Sequence, residues 1–142
     1  MKFTCSVAVS LVCMGLFLAT AAPAVADQPI TVLVNPATGT CTPDTVVVTQ
    51  KHGKDVAIFF EIDPAAGDHW SWSSEPDPIV VEAPSGIFSD GKNPGGNGKG
   101  KVKLKNRNAP SDIGTYKYTA TLIQAGSSTP VVIDPSIENK LD

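Results

Sequence analysis

The sequence predicts an all-β protein, a single antiparallel β-sandwich of about 7–8 strands occupying residues 27–142. Short apolar runs bounded by Pro, Gly, Asn and Asp recur along the chain, and no stretch sustains a helical period. The best patterned run alternates Thr115, Lys117, Thr119 and Thr121 with Tyr116, Tyr118, Ala120 and Leu122. A strand there carries both tyrosines and the leucine on one face and leaves the other to water. The length suits one domain, able to bury roughly two-thirds of its unfolded surface.

At the start, Met1-Lys2 is positive, Val7 to Ala19 is apolar, and Ala24-Val25-Ala26 places small residues where a signal peptidase reads. Residues 1–26 are therefore expected to be a signal peptide cut after Ala26, and the protein exported to the periplasm or secreted. Val12 before Cys13 departs from a lipoprotein signal, so Cys5 and Cys13 leave with the leader. No later run reaches the roughly 20 apolar residues of a bilayer crossing, so no membrane span is expected. Cys41 is then alone and cannot form an internal disulfide. It is either a buried thiol acting as a small hydrophobe or an exposed one that pairs with a partner.

Ile30 to Val34 is the first strand, closed by Asn35-Pro36 and Thr38-Gly39. Thr45 to Gln50 and Asp55 to Ile62 read as a hairpin about Lys51-His52-Gly53-Lys54. Phe59 and Phe60 cannot both face inward from a regular strand, so one meets another surface or a bulge intervenes. Asp63-Pro64-Ala65-Ala66-Gly67 ends that strand. His69 to Ser73 and Ile79 to Glu82 are weaker strands separated by Pro76 and Pro78, and Ser85 to Gly100 reads as a long mobile glycine-rich loop. Lys101 to Lys105, Thr115 to Ile123 and Val131 to Ile133 complete the set, and the polar tail from Glu138 is expected to fray.

Without Lys2, ten Lys and Arg stand against fourteen Asp and Glu, a balance of 10 − 14 = −4, which disfavours nucleic acid as a partner. Between Lys54 and Lys92 there is no Lys or Arg, while Asp55, Glu61, Asp63, Asp68, Glu75, Asp77, Glu82 and Asp90 are acidic. From Lys92 to Arg107 the sign reverses. Lys99, Lys101, Lys103 and Lys105 would line one strand face, either gripping an anionic envelope component or protecting an edge strand from edge-to-edge pairing.

Trp70 and Trp72 share a strand face, so with His69 they form a candidate glycan platform, unless the pair fills the core. No Gly-x-Ser-x-Gly is present, Gly98-Lys99 is followed by Gly100 where a phosphate loop needs Ser or Thr, and His52 and His69 fall in different elements. No catalytic residue, metal ligand or cofactor is assigned.

Asp112-x-Gly114-x-Tyr116 entering the long strand resembles the tyrosine corner of Greek-key β-sandwiches. Pro43 to Val48, a Gly-containing turn and Asp55 to Phe60 are similar to the first hairpin of immunoglobulin-like and cupredoxin-like domains, and the Tyr116 strand to their closing hairpin. The resemblance implies their fold without their sites. Tyr118, Thr121 and Ile123 stand where a blue-copper protein has its closing ligands, residues 27–142 hold no Met, and Tyr118 replaces the second cysteine of antibody-type domains. Glu75-Pro76-Asp77-Pro78 and Asp134-Pro135 resemble the uncharacterised DP-EP family of small exported bacterial proteins, which implies architecture and no activity. The functional expectation is an exported, non-enzymatic binding or structural module whose partner is a protein, a glycan or an anionic envelope component. A glycan-binding domain and an unrecognised enzyme are the alternatives.

Overall fold

The computed structural model describes residues 28–142, so the expected signal peptide lies outside the described residues. The chain runs through β1 (Ile30–Asn35), β2 (Thr40–Thr42), β3 (Thr45–Thr49), β4 (Val56–Ile62), β5 (Trp70–Trp72) and β6 (Ile79–Val81). It continues through β7 (Phe88–Asp90), β8 (Val102–Asn106), β9 (Gly114–Gln124), β10 (Pro130–Ile133) and β11 (Ser136–Lys140), with short 3-10 turns as its only helical pieces among the described residues. The protein is all-β. Eleven strands are present where about seven to eight are expected, the additions being β2, β7 and β11.

One sheet has the order β2-β1-β4-β8-β7, the other β10-β9-β11-β3 with β5 and β6 also pairing with β9. Both sheets are mixed, which corrects the purely antiparallel expectation: β1 runs parallel to β4 and β3 parallel to β11. The hairpin expected between β3 and β4 does not form, because the two strands belong to different sheets. His52 Nδ1 accepts from the Thr49 N–H at 3.0 Å, and Asn108 Nδ2 donates to Thr49 O and Gly53 O, both at 2.8 Å. These bonds shape a crossing between sheets instead of a return along the same one.

Period-two alternation fills the space between the sheets. Val32, Val34, Ile58, Phe60, Val102 and Leu104 bury their side chains from the first sheet, and Val46, Val48, Tyr118, Leu122 and Ile137 from the second. The Phe60 and Tyr118 rings meet edge to face across the core at 5.1 Å. Phe59 turns to the opposite face, half-buried, and the β4–β8 register runs unbroken through it, so no bulge is needed. Tyr116 is half-buried, and Thr121, expected on the wet face, is buried where β5, β6 and β10 converge on β9.

Two segments expected to be loose are held. The glycine-rich stretch contains β7, and beyond it Asn93 Nδ2 donates to Trp72 O and Ser73 O, while Trp72 N–H donates to Gly98 O at 2.8 Å. A Cβ on Gly98 would stand 3.3 Å from both Ser71 and Trp72, so glycine is what lets the loop lie on β5. The polar tail is β11, lodged between β9 and β3 with Ile137 in the core.

Candidate functional site

Trp70 and Trp72 are only 6% and 2% exposed, and their indole N–H groups donate to Ala66 O at 3.2 Å and Gly100 O at 2.8 Å. At these exposures the pair belongs to the core and does not form the expected open platform, although Trp70 also lines a surface cleft. β5 buries both indoles on its inner face, and the nearby loops supply the carbonyls that make this burial affordable. His69 is exposed beside Trp70, ring centroids 5.4 Å apart.

The lysine row is also rearranged. β8 lies between β4 and β7, so it is not the edge strand that edge protection requires. Lys101 pairs with Glu61 at 2.7 Å, Lys105 with Asp55 at 3.3 Å, and Lys99 donates to the Asp68 carbonyl. Of the four, Lys99 and Lys103 have no acidic side-chain partner among the described residues. Antiparallel pairing of β4 with β8 thus sets the acidic half of the sequence against the basic half within one molecule.

The most concentrated polar chemistry sits at the entrance to β9. Asp112, buried, accepts from Arg107 Nε at 2.8 Å, from the Ala109 N–H at 3.0 Å and from Ser111 Oγ at 3.2 Å. The Arg107 hydrogen bond dominates these partners and holds the Asp112 carboxyl at about 2, against the opposing effect of burial. Asp112 in turn raises the Arg107 guanidinium. Tyr116 Oη donates to Asp112 O at 3.0 Å, which is the hydrogen bond of a tyrosine corner. Asn106 and Asn139, both buried, join their amides at 2.7 Å, and Asn139 Nδ2 also donates to Asp112 O at 3.0 Å. Sequence reasoning found Tyr116 and missed the asparagines, whose only signal is polarity at positions where alternation points inward.

Cys41 is buried and free, and burial raises its thiol. Burial likewise raises the Tyr118 phenol, whose hydroxyl lies beside the Cys41 thiol and meets no other polar partner among the described residues. No group of three or more His, Cys, Asp and Glu side chains converges as a metal site among the described residues. No helix among them is long and apolar enough to cross a membrane.

Two surface clefts stand out among the described residues. One, of about 170 Å³, lies between Ile62, Asp63, Pro64, Asp68, Trp70 and Lys99. The other, of about 180 Å³, lies between β6 and β7, with Ile79, Val81, Phe88 and Leu104 as its apolar lining and Asp77 and Asp90 as its charged groups. Fold and clefts together define an all-β domain of two mixed sheets that carries an opening between two strand edges.

No family model matches the chain, and no curated protein matches it. Among solved structures, the solution structure of Amebosin is 16% identical, over 80% of this chain and 99% of its own, with a TM-score of 0.35. A likeness that loose carries no conclusion about fold or role.

Proposed function

We propose that this chain is an exported, non-enzymatic binding or structural module built on a Greek-key sandwich of the immunoglobulin-like or cupredoxin-like kind. The observation that carries the reading is how the strongly perturbed carboxylate is used. Asp112 directs its oxygens at Arg107, the Ala109 N–H and Ser111, all within its own corner, and so braces the fold instead of facing a substrate. The tyrosine corner it shares with Tyr116 supports the Greek-key assignment. Open strand edges favour a protein partner over a glycan, since the indoles that would stack a sugar are interior.

Assay of the purified protein against hydrolase, transferase and redox substrate panels tests the class. The expected result is no turnover above a heat-inactivated control, and turnover lost on His52→Ala or His69→Ala overturns the reading. Export is tested by intact mass of protein recovered from the periplasm or medium. A chain beginning at Asp27 is expected, and one that still carries Met1, or a lipid on Cys13, contradicts it.

A further inference from the structure

The cleft between β6 and β7 is flanked by the edges of both sheets. On β6, the Thr121 N–H donates to Pro78 O at 2.8 Å and the Glu82 N–H to Lys117 O at 2.9 Å. Antiparallel alternation then turns the backbone groups of Ile79 and Val81 away from β9, toward the cleft. On β7, the Gly91 N–H donates to Lys103 O and the Arg107 N–H to Ile87 O, both at 2.8 Å. The same alternation turns Phe88 and Asp90 away from β8, toward β6. The two edges meet where the Ile79 N–H donates to Gly91 O at 3.1 Å, and no ladder joins them beyond it among the described residues. A Cβ on Gly91 would stand 2.4 Å from Ile79 O, so glycine there is what permits the junction.

We propose that this seam is a docking site for an extended segment of a partner protein, which adds as a strand to one of the two edges and buries an apolar side chain between Ile79, Val81, Phe88 and Leu104. Unpaired backbone groups supply the strand-addition hydrogen bonds, and the apolar floor supplies the side-chain pocket. Charge selects the segment. Asp77 and Asp90 line the cleft and no Lys or Arg does, so the segment carries Lys or Arg beside its apolar residues. A second copy is a poor occupant. This chain's own alternating basic and apolar segment is β8, already paired on both edges with β4 and β7. The proposal rests on the non-enzymatic module reading and adds its partner class and site.

The test uses a capped peptide alternating Val and Leu with Lys and Thr, a matched peptide with Glu for Lys, and a Lys peptide N-methylated along one edge. Calorimetry is expected to show the Lys peptide binding about tenfold or more tighter than the Glu peptide, and N-methylation removing a similar factor. The double variant Asp77→Asn, Asp90→Asn should erase the Lys over Glu preference without unfolding, since Asn tolerates the left-handed backbone of Asp90 at φ 69°. Amide exchange at Val81, Phe88 and Asp90 should slow on binding. Equal affinity for both peptides, no binding, undiminished binding of the N-methylated peptide, or protection centred on β3 overturns the proposal. Self-association that protects the same amides also overturns it by making a second copy the occupant. Any of these leaves the non-enzymatic reading standing, whereas turnover would remove that reading by itself.

Discussion

Asp112 shows how one side chain couples pH to stability. Its carboxyl, held at about 2 chiefly by Arg107, ordinarily titrates near 4 in an unfolded chain. A depressed folded value contributes stability that is fully present above about pH 4 and is lost as pH falls toward about 2. Denaturant titrations across that window should show the loss, and Asp112→Asn should flatten that part of the profile while costing about 1.5–3 kcal/mol at neutral pH. Tyr118 makes the opposite case. Its hydroxyl is buried with only the Cys41 thiol, a weak hydrogen-bonding group, beside it, so Tyr118→Phe should leave the melting temperature unchanged or raise it. A fall of several degrees would show that the contact with the thiol is a stabilising hydrogen bond. Cys41, buried with its thiol raised, should react with a thiol reagent far more slowly in the native protein than in denaturant. These residues differ in legibility. Tyr116 announces itself through Asp-x-Gly-x-Tyr, whereas the burial of Asp112 and Asn139 depends on chain ends that only folding brings together.

β11 carries the clearest consequence at the level of elements. It lies between β9 and β3 and contributes Ile137 to the core, together with the Asn139 amide that donates to Asp112 O. A chain ending before Ser136 should therefore fail to fold, as read by loss of the cooperative melt, whereas a frayed tail would be dispensable. Asn139→Ala should cost about 1–3 kcal/mol, because it leaves the buried Asn106 Nδ2 without its acceptor, while Asp112 O keeps the Tyr116 hydroxyl. Local pattern identified β1, β3, β4, β8 and β9, where alternation runs long enough to be seen, and the shorter β5, β6 and β10 as apolar runs between turn residues. It missed β11 because Ser136-Ile137-Glu138-Asn139-Lys140 shows only one apolar residue, and the other inward position is an asparagine. β7 was hidden for a related reason: three residues with glycine on both sides carry too little periodicity to register.

Across the whole molecule, charge is distributed by topology. The sequence is acidic from Asp55 to Asp90 and basic from Lys92 to Arg107, yet β4 and β8 are neighbours and their outer side chains form the Glu61–Lys101 and Asp55–Lys105 pairs. Such exposed pairs contribute about 0.2–1 kcal/mol each, so Lys101→Gln should destabilise by less than about 1 kcal/mol, and the effect should fade at high salt. Changing all four alternating lysines to Gln measures how much binding to an anionic polysaccharide remains, and sedimentation at low salt should show little for wild type to lose. The sequence by itself determined the β class, the strands with long alternation, the tyrosine corner and that Phe59 and Phe60 do not both face inward from a regular strand, because these depend on residues close along the chain. Only the tertiary structure decided that β3 and β4 lie in different sheets, that the tryptophans are interior, that Lys101 and Lys105 pair with acids of the same molecule, and that β6 and β7 leave a seam. Each of these depends on which distant strands pair, and strand pairing is set by packing across the whole core, which no local run of residues encodes.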